Sequence, residues 1–496
     1  MYITYDIKKG IEYAKLCVST RDGKNILKKT TNLGRVLDKE QGIYRSRERG
    51  VFTYDLSTNT YGKAPAEFVP PKTNRKELMI LDFGDAFFLD NFIRAKGLRT
   101  AIDAIGYGNP DTFYAMISYY AICSLANCHA QSWWEGSYAR ILYPKANLTS
   151  QRICDFLASI GEESSQRTFF HEYFKLFDHT GVSMENILID STGFPNSIHF
   201  PLTAVSNHNE VISDEVRLIY VVHQKTGMPI YFRYCADNSI DASTMIRCLE
   251  ELQAQKVDTK FAIIDTEYYT EEDIHELFEK KISFITRLEQ NLVLYQQIVA
   301  NHLKTLEAKE NLVEYNGRYV YLKCVPCELG EHQAYAYIGL DIERKFSESQ
   351  KTFQRAIPNK MSTDQVYDAI QKQGVFMLVA SNQIDITEVL PLYYTRQQVE
   401  QVFDIGGNYV EMLPVHVHCE DSFRGHLLLT FIATAVIKQI QADLLHLAIT
   451  PVSLFLDLRN HKCKVYNDKI IIHEAFKKAN DIYKQFKIQC PVAIPR

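Results

Sequence analysis

The pattern of apolar and polar residues changes character several times along the chain. Residues 1–63, rich in Tyr, Val, Thr and Gly, read as short strands and turns. The stretch APAEFVPPKTNRK (64–76), with three prolines, reads as a linker. Residues 77–178 read as mostly helical, and LTSQRICDFLASIG followed by ESSQRTFFHEYFKLF reads as two helices around Gly161. A DNA-reading helix-turn-helix has this pattern, as do many plain helical hairpins. From residue 186 the period shortens. ENILIDST, EVRLIYVVHQ and PIYFRYCADN read as three strands, the last two joined by a turn at KTGMP. Then come a helix at 241–255, a strand KFAIID, a helix TEEDIHELFEKK and a strand ISFITRL.

Three strands, helix, strand, helix, strand is the order of a ribonuclease H-like α/β sheet. The order is interrupted at 290–372, where LVEYNGRYVYLKCV and QAYAYIGLDIERK alternate around an Asn-Gly turn and predict a β-rich insertion. It resumes with the strand GVFMLVAS, a helix over LPLYYTRQQVEQVF and the long apolar helix GHLLLTFIATAVIKQIQADLLHL. The expected organisation is therefore a basic β-rich segment (1–76), a helical domain suited to binding DNA ends (77–178), a core in two parts (179–289 and 373–450) around the insertion (290–372), and a mixed tail (451–496).

Two of the core strands stop at an acid: ILI-Asp190 and AII-Asp265. On the later helix, Tyr393, Arg396 and Glu400 fall at i, i+3 and i+7, on one stripe. Acids at buried strand ends facing a glutamate on a polar helical stripe are what a two-metal phosphoryl-transfer site requires. One Asp after an apolar run commonly just caps a turn. Asp214, Asp237 and Asp241 compete, but they sit in turns or at a helix start.

The charge distribution adds a partner. The chain carries a net −5, yet residues 1–76 hold 16 Lys/Arg against 8 Asp/Glu, a balance of +8 that leaves −13 on the other 420 residues. A basic arm on an acidic body suits DNA, although a solvated basic face would give the same count. The apolar runs near 113–126 and 427–437 are shorter than the roughly 20 residues that span a bilayer, so no membrane partner is expected. The opening MYITYDIKKG lacks the apolar stretch of a signal peptide. Eleven scattered cysteines fit a reducing cytoplasm.

These residues resemble the DDE transposases of bacterial insertion sequences, the subgroup with a β-rich insertion and a Tyr-x2-Arg-x3-Glu-x6-Lys signature. The likeness runs from about 186 to 445. Tyr393, Arg396 and Glu400 fit the first three signature positions; the fourth falls on Gly407, where the family has a lysine. The resemblance implies that Asp190, Asp265 and Glu400 hold two Mg²⁺ ions, with Mn²⁺ able to substitute. It implies water-driven cleavage at transposon ends, then attack of the freed 3′ oxygen on target DNA. Tyr393 and Arg396 would hold phosphates, and Arg424, expected in a loop before the long helix, would replace the missing lysine; Lys438 is the alternative. The partners implied are double-stranded transposon-end and target DNA, with a homodimer in the DNA complex, in a bacterial cytoplasm with the nucleoid. The rivals are a transposase-derived DNA-binding protein that has lost its chemistry, or a related nuclease that cuts without joining.

Weaker signals are read structurally. Cys324 and Cys327 have metal-pair spacing but lack a second pair, with His461 and Cys463 the distant candidates. His416, His418 and His426 cluster after the signature helix, and His426 reads as structural. Adjacent Trp133 and Trp134 read as core rather than a base-stacking platform. No glycine-rich phosphate loop is present, so no nucleotide cofactor is expected.

Overall fold

The computed structural model describes the chain except residues 9, 23–24, 66, 69–76, 124, 181–183, 197–203, 209–210, 236–241, 265–269, 359–360, 396, 398–400, 403–404, 406–418 and 446–448. Two compact units result, Met1–Lys76 and Glu77–Arg496.

The first unit is an antiparallel meander of six strands in chain order: β1 (Tyr2–Lys8), β2 (Ile11–Asp22), β3 (Asn25–Asp38), β4 (Ile43–Ser46), β5 (Gly50–Asp55) and β6 (Thr60–Lys63). Alternation puts one residue in two on each face. Ala14, Leu16, Leu33, Tyr44, Phe52 and Tyr54 form its small core.

The second unit opens with β7 (Glu77–Asp82) and seven helices: α1 (Gly84–Ala95), α2 (Leu98–Ala104), α3 (Pro110–Ile122), α4 (Ala130–Gly136), α5 (Ala139–Leu142), α6 (Ser150–Ile160) and α7 (Glu163–Thr180). Asn109 caps α3 by accepting the Thr112 N–H, and Pro110 fills the first helical position, where no amide hydrogen is needed. Nearly every α3 side chain is buried, so this helix is interior. Trp134 donates its indole N–H to the Tyr143 carbonyl at 3.2 Å and Trp133 packs on Tyr119, which spends both indoles on packing.

The main sheet follows. Its elements are β8 (Asn186–Asn196), β9 (Ala204–His208), β10 (Val211–His223), β11 (Pro229–Cys235), α8 (Ala242–Ala254), β12 (Phe261–Ile264), α9 (Glu271–Glu279) and β13 (Ser283–Arg287). Next come α10 (Val293–His302), β14 (Leu312–Tyr315), β15 (Arg318–Leu329), β16 (His332–Asp341), α11 (Ile342–Ala356), α12 (Thr363–Gln371), β17 (Val375–Ala380) and α13 (Ile386–Tyr394). The strand order is β11-β10-β8-β12-β13-β17-β16-β15-β14, with β9 beside β10. β8, β12 and β13 run parallel, and the other pairings are antiparallel. It is a mixed α/β sheet.

The stretch 290–372, expected as a β-rich insertion, carries helices as well as strands. Its strands continue the main sheet, because β16 pairs with β17 from Tyr335↔Ala380 to Leu340↔Val375, and α10, α11 and α12 give it as much helix as strand. The reason lies in β17: VFMLVA is buried at every position, so both its edges and both its faces need cover.

The long helix α14 (Glu420–Asp443) starts before the apolar run begins. Glu420 and Asp421 in its first turn offset the helix dipole and extend it upstream. It crosses α6 with backbones nearly touching. A Cβ on Gly425 would stand 1.9 Å from the Leu157 carbonyl oxygen, and one on Gly161 would stand 1.8 Å from that of Asp421. Only glycine permits this approach.

The tail, α15 (Pro451–Arg459), β18 (Lys462–Tyr466), β19 (Lys469–Ile472), α16 (Lys477–Gln485) and β20 (Ala493–Pro495), is built into the second unit. It forms a sheet in the order β20-β19-β18-β7. Arg459 reaches the buried Asp85 at 3.0 Å and the Ile122 carbonyl at 3.1 Å. His461 is enclosed between the Tyr483 hydroxyl and the His473 carbonyl, and burial lowers its pKa. That occupation, together with the complete burial of Cys463, removes both as partners for Cys324 and Cys327. Among the described residues, no helix is long and apolar enough to cross a membrane.

Candidate active site

Asp190 lies near the middle of β8, flanked by β10 on one side and β12 on the other, and is buried. Tyr220 stands directly opposite it in β10. Directly opposed residues of an antiparallel pair project to the same face. The Tyr220 ring stacks on Phe431 of α14, with centroids 5.9 Å apart, so Asp190 projects to the face that α14 covers. Phe169 and Phe170 of α7 also meet Phe431, which adds α7 to that cover.

The parallel pairing of β12 with β8 fixes a second relation. Ile264, the last residue of β12, pairs with Ile189, the residue before Asp190. Two strands therefore reach the positions before their acids in the same register. Asp265, Arg396, Glu400 and Gly407, with the competing Asp237 and Asp241 and with His416 and His418, lie outside the described residues.

Tyr393 is buried on the last turn of α13. The expectation of one uninterrupted helix through Phe403 is corrected here: α13 ends at Tyr394 with Thr395 as its cap. Pro391 inside the helix withholds an amide hydrogen, and the Thr395 hydroxyl donates to the Leu392 carbonyl at 2.6 Å. Helical backbone reappears at Gln397, Gln401 and Val402. A cavity of about 210 Å³ opens beside Tyr393, lined by Arg287, Arg344, Phe376, Leu378, Tyr394 and Gln397. The two arginines were not singled out from sequence. Arg287 ends β13, and Arg344 opens α11 paired with Glu348 at 2.6 Å. Each is one basic residue in an ordinary element, and only the sheet order brings them together.

Arg424 sits within the second turn of α14, not in a loop. Its guanidinium meets Glu420 at 2.7 Å and Asp421 at 3.8 Å. Tyr234, at the end of β11, donates its hydroxyl to the same Glu420 at 3.1 Å. Burial, opposed by Arg424 and reinforced by Glu420, pushes that phenol up to about 12, so it stays a donor. Lys438, farther along α14, donates to Gln401 at 2.8 Å. Burial pulls its ammonium pKa down. His426 is buried against Tyr120, with the hydroxyl and Nδ1 2.8 Å apart, which fits packing between α14 and α3.

The comparisons with known proteins bear on this arrangement. No match is found among curated protein sequences. A cryo-EM structure of the piggyBac transposase synaptic complex with hairpin DNA is similar over 81% of this chain and 79% of the other, at 10% identity and a TM-score of 0.36. The family model described as the transposase DDE domain matches residues 185–436, which span β8 to most of α14 and just over half of the chain. Asp190, its partner strands and most of the helix above them fall within that span, and the chain belongs to the DDE transposase family.

Proposed function

We propose that the protein is a DNA transposase with a ribonuclease H-like core that cleaves the ends of an insertion sequence and joins them to target DNA in a bacterial cytoplasm. The observation that carries this reading is the register of the two strands. With Ile264 beside Ile189, the residues that follow are Asp265 and Asp190 in sequence, and Asp190 is buried under α14. The strand order β11-β10-β8-β12-β13, with only β10 and β11 breaking the parallel run toward β8, supports the ribonuclease H-like assignment.

Hard carboxylate oxygens suit Mg²⁺ or Mn²⁺, and Asp190, Asp265 and Glu400 are the residues proposed to hold two such ions. When bound, the ions would activate the attacking oxygen and stabilise the leaving oxygen. The chain's own residues orient the DNA. Arg396 fits a bidentate grip on a phosphate, and Tyr393 contributes its hydroxyl. The cavity beside Tyr393, with Arg287 and Arg344 on its wall, adds cationic lining to the same place.

In place of a lysine at 407, Arg424 takes a phosphate contact. It lies on the helix that covers Asp190's face, and exchanges Glu420 for the phosphate when DNA arrives. Lys438 competes for that role, since its partner Gln401 adjoins Glu400 in sequence. Double-stranded transposon-end and target DNA are the partners, bridged by a homodimer. The test is an assay of end cleavage and strand transfer with Mg²⁺ and a DNA carrying the element's own ends. Nicked but unjoined product would favour the nuclease reading. Binding without either product, in a protein whose Asp190→Asn variant behaves identically, would favour a DNA-binding protein.

A further inference from the structure

α9 and the β15–β16 hairpin bring three metal-ligating side chains together. His275, Glu279 and His332 each offer a donor atom, and these atoms all lie within 4.8 Å of one another. It is the one such group found among the described residues. We propose that these three residues form a zinc site that staples α9 to the hairpin.

The geometry is already close to what the metal needs. His275 Nδ1 and His332 Nε2 stand 3.2 Å apart. Two imidazole nitrogens bound tetrahedrally at about 2.0–2.1 Å from one zinc stand roughly 3.3 Å from each other. Glu279 follows His275 by four residues on α9, so both project from the same face, one turn apart. Gly330, at φ +60, opens the two-residue turn between Leu329 and His332 that presents the second histidine to the helix. The His332 ring is stacked on Phe278, with centroids 4.3 Å apart at 13°, which holds its plane in place.

Nitrogen, nitrogen and carboxylate are a zinc donor set rather than a magnesium one. His275 and Glu279 are exposed, and a cavity of about 530 Å³ borders both histidines, so an ion can enter and a water can take the fourth position. Without metal, the two rings share one hydrogen bond. With metal, both nitrogens and the Glu279 carboxylate close on one centre, tying the helix after β12 to strands that lie beyond β13 and β17 in the sheet.

Isothermal titration of the full chain with zinc chloride, in excess Mg²⁺, tests the site. One equivalent is expected to bind. His332→Ala and Glu279→Gln should each weaken binding more than about tenfold, since even losing a partner outside the ligand shell costs that much. Glu279→Gln keeps the histidine pair and the Phe278 stack, so its loss of affinity cannot come from misfolding of the hairpin. Asp190→Asn should titrate like the wild type, which separates this site from the proposed catalytic one. No zinc uptake, or uptake that survives both ligand variants, would overturn the proposal. So would uptake lost only in Asp190→Asn.

Discussion

Residues 1–76 close a sheet around a handful of apolar side chains and carry a net +8, whereas residues 77–496 build one continuous core and carry −13. A small one-layer sheet offers much surface for its core, which suits contact with a polyanion. The larger unit has the deeper core, with Asp190 buried within it. An acidic body meets DNA at a cost that bound cations must offset, and a basic companion can supply affinity without taking part in the chemistry. The division predicts that affinity and catalysis separate under mutation.

The largest expected effect is on chemistry alone. Asp190→Asn should lower end cleavage at least about 1,000-fold, roughly 4 kcal/mol of transition-state stabilisation, while thermal unfolding and DNA binding stay near wild type. Cleavage within tenfold of the wild type would remove Asp190 from the mechanism. Glu400→Gln should behave alike, and chelation of the divalent ions should stop cleavage by the wild-type protein.

Next is the stability of the larger unit. Gly425→Ala places a methyl group against the Leu157 carbonyl and should cost about 3 kcal/mol, the upper range for overpacking. Calorimetry should show the transition of residues 77–496 move down while that of the small sheet stays put. If both shift together, the two units are not thermodynamically separate. Arg459→Ala, which strands the buried Asp85, should lower the same transition by a similar roughly 3 kcal/mol.

Removing residues 1–76 should then weaken DNA binding in a salt-dependent way. For every phosphate that the shortened protein no longer neutralises, the plot of log K against log salt should flatten by about 0.9. An unchanged slope would mean that the basic unit does not touch DNA. The smallest effect concerns the missing lysine. Arg424→Ala should reduce cleavage by roughly tenfold, the strength of one charge-assisted hydrogen bond, and Gly407→Lys should restore part of it. If Lys438→Met has the effect and Arg424→Ala has none, the phosphate is held by the buried lysine.

The elements of the core were legible because their periods are strong. DASTMIRCLEELQAQ became α8, KFAIID became β12 and TEEDIHELFEKK became α9, each within a residue or a few of its expected ends. β9 was missed, because AVSNH has no apolar run to announce a strand; it forms as a partner of β10. Pairing partners were equally hidden. Nothing within KCKVY names β7, and nothing in HQAYAYIGLD names β17. The expected stripe of Tyr393, Arg396 and Glu400 assumed a straight helix. α13 ends at Tyr394, and Arg396 and Glu400 lie outside the described residues. The His275–Glu279 spacing on a helix was readable as well, but His332 lies 57 residues from His275 and only the fold brings it near.

The pairing of β7 with β18 has a consequence for how the protein is made. Asp82 and Lys462, joined across that pairing, are 380 residues apart. At roughly 5–20 residues per second, a ribosome needs about 20 to 80 seconds between them. For that interval β7 lacks β18, its ladder partner in the sheet. A chain lacking residues 460–496 would leave β7 without a ladder partner. The pairing of β7 therefore waits on a segment made hundreds of residues later.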